Sequence, residues 1–284
     1  MILGDAKPDF FFTLKSLVFF VDLCYALYGL YAYLACMIQI FIKDIDIMKE
    51  KNKLVLHKPQ PVFSIVKGVL KLFVKKPKKV INLAGDLHDK AIIVANHNGK
   101  WGPMALEMHF PLYHCVWGAG EMLGTYKERF HYLRDIFYMQ KKGWSKKKAT
   151  SKAWFEAIFN KFVYKGMRVL PTYTNGKLLA TINKSVDALN QNAAVLIFPE
   201  NSNEGYLDEL TEFYPGFVLL AQSYYTKTGE DIPVYPVYYQ LKKRILCIGQ
   251  PLYVNEMVKQ KLSRTEIAEI FRLKVNELYH KYCL

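Results

Sequence analysis

The sequence predicts an α/β domain preceded by an N-terminal membrane-associated helical segment. Three observations carry that prediction. Short, apolar, β-branched runs recur from residue 91 onward, separated by stretches of helical periodicity. Ahead of them, residues 16–42 hold one charge, Asp22, in 27 positions. Dense lysine clusters give the 284-residue chain a net charge of +14. Hydrophobic content of 51%, with 15% aromatic residues, is ample for a packed core and excludes general disorder.

The apolar stretch Ser16 to Ile42 would reach about 40 Å as one helix, more than the ~30 Å hydrocarbon thickness, so it can span a bilayer with tilt. Gly29 near its middle equally permits a re-entrant hairpin. The stretch is too long for a secretory h-region, and no small-residue cleavage site stands out after it. A core helix of a globular protein is rarely apolar on every face. Lysines dominate the region that follows, which by the positive-inside tendency keeps the main domain on the cytoplasmic side. Five cysteines (Cys24, Cys36, Cys115, Cys247 and Cys283) show no CxxC spacing, which argues against a disulfide framework and a zinc site. A reducing setting and no bound metal are expected.

Residues 43–60 are polar, with "HKPQP" marking a break. Residues 62–74 read as an amphipathic helix, Lys67 and Lys71 one turn apart, lying on the domain or at the membrane interface. The runs "VKKPKK" (74–79) and "KKGWSKKK" (141–148) suit an anionic membrane surface, nucleic acid or plain solvation. Aromatics do not alternate with lysines in a recognisable module, so nucleic acid is not an expected partner.

Buried-strand runs follow: "AIIVAN" (91–96), "AAVLIFP" (193–199), "IPVYPVYY" (232–239) and "RILCIG" (244–249). Helical patterns cover 103–110, 146–165 and 177–191. The last helix opens on a capping box, Ser263 with Glu266, ahead of Ile267, Ile270, Phe271, Val275 and Leu278. The simplest division is a hydrophobic membrane segment at 1–45, an amphipathic and basic connector at 46–84, and an α/β domain at 85–284.

In open α/β sheets ligands bind beyond the carboxyl ends of strands, which singles out Asn96-His97, "FPENSNEGY" (198–206) and "IPVYPV" (232–237). In order and separation these segments resemble the glycerolipid and lysophospholipid acyltransferase superfamily. That family carries Asn-His-x4-Asp-Pro after a strand, then Phe-Pro-Glu-Gly-Thr-Arg, then a Pro-rich strand close to "IPVxPV". The counterparts here are Asn96-His97 with Gly102-Pro103, Phe198 to Asn203, and Ile232 to Val237. The resemblance spans about residues 85–255. It implies a central mixed sheet flanked by helices and a membrane-associated enzyme that moves a fatty acyl group from a thioester to a lipid hydroxyl. It further implies His97 as general base, with Asn96, Glu200, Asn201 and Ser202 at the substrate. Membrane lipids and the acyl donor, acyl-CoA or acyl carrier protein, would be the partners, with no cofactor beyond that co-substrate. Histidine suits the task, because its pKa lies near neutrality.

Two departures bear on the chemistry. Gly102 stands where the family has the aspartate that orients the imidazole; in a Ser-His-Asp triad the loss of that carboxylate costs ~10⁴ in turnover. Glu107 or Glu121 could fill the role, a backbone carbonyl or water could hold the ring, or the site could be inactive. The family's anion-binding arginines are also missing, and Arg168, Lys177 or Lys100 are the cations left to replace them. The acceptor therefore need not be lysophosphatidic acid. The alternative is a catalytically inactive homologue that binds lipid or an acyl-carrier partner.

Overall fold

The computed structural model describes residue 56 and residues 60–284, apart from residue 100, residues 174–177 and residue 204. The apolar segment 16–42, Lys100 and Lys177 lie outside the described residues. Among those described, no helix is long and apolar enough to cross a membrane.

Eight strands form one mixed sheet: β1 (Lys79–Asn82), β2 (Ile92–Ala95), β3 (His114–Ala119), β4 (Leu170–Thr172), β5 (Ala194–Ile197), β6 (Pro233–Gln240), β7 (Ile245–Ile248) and β8 (Leu252–Tyr253). The spatial order is β1-β7-β6-β2-β5-β3-β4, with β8 paired to β6. β2, β3, β4, β5 and β6 run parallel, so their carboxyl ends share one edge. β7 and β8 run antiparallel to β6, and β1 runs parallel to β7. Lys79 of β1 pairs with Ile245, so the sheet begins ahead of residue 85, inside the stretch read as connector.

β2 and β5 are buried along their whole length, as parallel strands covered on both faces must be. Ile92 and Val94 point to one face, Ile93 and Ala95 to the other. The first face packs on α5 (Leu178–Asn190), α6 (Gly216–Thr228) and α8 (Arg264–Tyr282), where Phe217 meets Phe271 edge-on at 5.1 Å. The second packs on α2 (Trp101–His109), with Val74 at the end of α1 (Pro61–Phe73). Helix α8 starts on its expected capping box: Ser263 Oγ accepts from the Glu266 amide at 3.2 Å, and Glu266 Oε2 accepts from the Ser263 amide at 2.7 Å.

Between β3 and β4 the chain builds a helical lobe. It comprises a 3₁₀ turn (Gly120–Leu123), α3 (Tyr126–His131), a π-helical stretch (Tyr132–Gln140) and α4 (Lys146–Gly166). Its own core holds Met122, Leu133, Tyr138, Ala149, Ala153 and Ala157. A short helix, α7 (Val254–Lys259), joins β8 to the segment that leads into α8.

Candidate active site

Asn96, fully buried, ends β2 by extending the pairing with β6 through its side chain. Its Oδ1 accepts from the Tyr239 amide at 2.7 Å, and its Nδ2 donates to the Tyr239 carbonyl at 3.2 Å. Both ends of the amide are thus committed to the backbone. Asn98 Nδ2 donates to the same carbonyl at 3.2 Å. Asn98 (φ 44°) and Gly99 (φ 68°) then take the left-handed conformation, which asparagine tolerates and glycine adopts without strain. Pinned on one side and turning sharply on the other, the chain presents His97 at the carboxyl edge of the sheet.

His97 is half-buried, but its Nδ1 is enclosed and has no hydrogen-bond partner among the described residues. The ring stacks on Tyr206 (centroids 4.7 Å, planes 14° apart) and meets Phe198 edge-on at 5.1 Å. Desolvation, then the charge of Lys141, push its pKa down to about 3, while the Gly99 carbonyl pulls the other way. The imidazole is therefore neutral and, near neutrality, only a weak proton acceptor.

Glu200 follows β5 and is buried, and neither carboxylate oxygen has a hydrogen-bond partner among the described residues. Desolvation raises its pKa to about 7, against the His97 backbone amide and Lys141, which favour the charged form. Environment thus separates a neutral histidine from a carboxyl group that changes charge near neutrality, the pattern of an acid–base site. A bridge to Phe213 fixes the Glu200 backbone, and Asn201 locks the next turn. The Asn201 side chain donates to Glu212 at 2.7 Å and accepts from the Asn203 amide at 3.1 Å.

Lys141 is the residue the sequence did not single out. Its Nζ donates to the buried Ser202 Oγ at 2.6 Å and lies 5.8 Å from the centre of the Tyr206 ring. Burial lowers its pKa and Glu200 raises it. It sits in a lysine run that reads as surface, and the π-helical stretch is what turns it inward. The Lys141 amide bonds the carbonyl of Ile136, five residues back, at 2.9 Å. One extra residue per turn rotates later side chains by about 100° from their α-helical phase.

Of the two proposed orienting carboxylates, Glu107 lies at the other edge of the sheet. Glu107, near the end of α2, bonds Lys67 at 3.0 Å and faces His114 Nε2 at 3.3 Å. His114 opens β3, so this cluster occupies the amino edge of the parallel strands, opposite His97. Arg168, just before β4, lines the same 410 Å³ cavity as Glu107, Lys67 and His114. Glu121, in the 3₁₀ turn after β3, acts with burial to push the Tyr132 phenol up to about 12. Among the described residues no carboxylate bonds the His97 ring, and no group of three or more His, Cys, Asp or Glu could hold a metal ion.

Gly102 has a packing reason. A Cβ there would fall 2.1 Å from the His97 carbonyl oxygen and 3.3 Å from the Asn98 Cβ. The first turn of α2 approaches the His97 backbone too closely for any side chain, so an aspartate would displace the chain that presents the imidazole.

No protein-family model matches the chain, and no curated protein sequence matches it. Its structure is similar to a crystal structure of the 1-acyl-sn-glycerophosphate (LPA) acyltransferase PlsC from Thermotoga maritima. The TM-score is 0.41 at 12% identity, covering 76% of this chain and 80% of that chain. A likeness of that size establishes neither a shared family nor a shared reaction. The chemistry rests on the residues themselves.

Proposed function

We propose that the chain is a membrane-associated acyltransferase, moving a fatty acyl group from acyl-CoA or acyl carrier protein to a lysophospholipid or other lipid hydroxyl. The observation that carries this reading is that His97, Glu200 and Lys141 share one enclosed cluster at the carboxyl ends of β2 and β5. A neutral imidazole takes the proton of the acceptor hydroxyl as its oxygen attacks the thioester carbonyl carbon. The C–O bond forms, the C–S bond breaks, and the proton passes from the imidazolium to the departing thiolate. An imidazole with a depressed pKa is a weak base but gives up its proton readily in the second half of the reaction. Lys141 supplies the positive charge that the absent arginines would have given. It does so as a point charge rather than a bidentate fork, which suits a less strictly defined anionic or polar acceptor.

The test uses the purified full chain with labelled acyl-CoA, a panel of lysolipids and the variant His97→Ala. Transfer that depends on His97 is the expected result; equal transfer by both proteins removes His97 from the mechanism. A second reading, a catalytically silent protein that binds lipid or an acyl carrier, is favoured by the His97 Nδ1 that no carboxylate holds. It predicts no transfer by either protein and lipid binding that survives His97→Ala.

A further inference from the structure

We infer that the outer face of α4 is a docking surface for an anionic lipid bilayer. The helix is built inside out. Its inward face consists of Ala149, Ala153 and Ala157, all fully buried, with Glu156 bonded by the Tyr138 hydroxyl at 2.6 Å. Four large apolar side chains in its middle turns face outward: Trp154, Phe155, Ile158 and Phe159 are 59, 56, 42 and 48% exposed, while Phe162, Val163 and Tyr164 nearer its end pack against the protein. Spaced i, i+1, i+4 and i+5, these four fall on one side of the helix, and the Phe155 and Phe159 rings already touch at 5.3 Å. A helix serving only the fold would do the reverse, since burying a large apolar side chain stabilises and exposing it gains nothing. Rotating α4 to hide the ridge would push large side chains into space shaped for alanine and expose the Glu156–Tyr138 bond. The ridge therefore faces outward by construction.

Charge selects the occupant. Residues 142–166 contain seven lysines, no arginine and one acid, Glu156, whose carboxylate is buried. Tryptophan and phenylalanine flanked by lysines suit the boundary between acyl chains and anionic headgroups, where the lysine stems lie along the apolar zone and the ammonium groups reach phosphate. A second copy of this chain would oppose like charges across the same ridge. The inference shares with the acyl-transfer reading only the lipid surface and does not involve His97.

The four tryptophans include Trp154, and comparing the full chain with Trp154→Phe isolates its emission. On vesicles containing phosphatidylglycerol with brominated acyl chains, the Trp154 component should shift to the blue and be quenched, and added salt should weaken both effects. The double variant Trp154→Ser/Phe159→Ser should lower vesicle partitioning by roughly tenfold or more. Equal quenching of wild type and Trp154→Phe on vesicles that carry both proteins overturns the inference. So does equal response on purely zwitterionic vesicles, or a Trp154 blue shift that grows with protein concentration in the absence of lipid. Loss of acyl transfer in His97→Ala leaves the Trp154 signal unchanged, so the two readings fail separately.

Discussion

The rings of His97 and Tyr206 stack face to face, 4.7 Å apart and 14° from parallel. The histidine comes from the tip of β2 and the tyrosine from the segment after β5, so the imidazole is covered by a residue more than a hundred positions away. This cover, with Phe198, contributes to the desolvation that holds His97 neutral.

Removing the cover should restore basicity to the ring. His97 has its pKa pushed down to about 3 from 6.5, so it is neutral in the fold, and stability is present above pH 6.5 and lost as pH falls towards 3. Tyr206→Ala should raise the ring pKa and shrink this acid loss, while Tyr206→Phe should keep both. Melting temperature against pH, with imidazole titration by NMR, measures the effect.

Glu200 acts in the opposite sense. Its pKa is raised to about 7 from 4.5, so its contribution to stability is present below pH 4.5 and is lost as pH rises through 7. Glu200→Gln should abolish that loss, giving a variant whose melting temperature exceeds that of the wild type increasingly from pH 5 to 8. A constant difference across this range would assign the pH dependence to another group.

Lys141→Met should reduce transfer to anionic acceptors by roughly tenfold or more while affecting neutral acceptors less. It should also raise the pKa of both His97 and Glu200, since Lys141 lowers each. Lys184→Met, an exposed change away from both the site and α4, is the control and should do neither. Parallel kinetics on charged and uncharged lysolipids separate the cases.

Gly102→Ala should destabilise the fold by about 2 kcal/mol or more, because its Cβ meets a backbone oxygen rather than a movable side chain. Gly102→Asp should be no more active than wild type despite supplying the carboxylate. Chemical denaturation and the transfer assay together test this; a stable and faster aspartate variant would contradict the packing account.

At the opposite edge, Glu107→Gln should cost about 3 kcal/mol by leaving the Lys67 and His114 cluster without its anion. Transfer per folded molecule should be unchanged, because this cluster lies at the amino ends of the strands. A selective loss of turnover at unchanged stability would place Glu107 in the chemistry after all.

The sequence by itself determined the elements whose burial leaves a mark on composition. β2, β5, β6 and β7 are apolar runs because strands packed on both faces have no polar side to show, and α8 is announced by its capping box. β1 and β4 left no such mark. Both are edge strands: "KVIN" is mostly exposed, and "LPT" is only three residues long. Spacing also brought His97 and Glu200 to light, since both follow buried runs. Tertiary structure alone decided what surrounds them. Glu107 and Arg168 are near His97 in sequence or by charge, but the direction of α2 and the start of β4 carry them to the far edge of the sheet. Lys141, hidden in a run that looks like surface, is turned inward by π-helical geometry. Periodicity reports which face of an element is buried, whereas long-range register and local helix winding set which side chains meet.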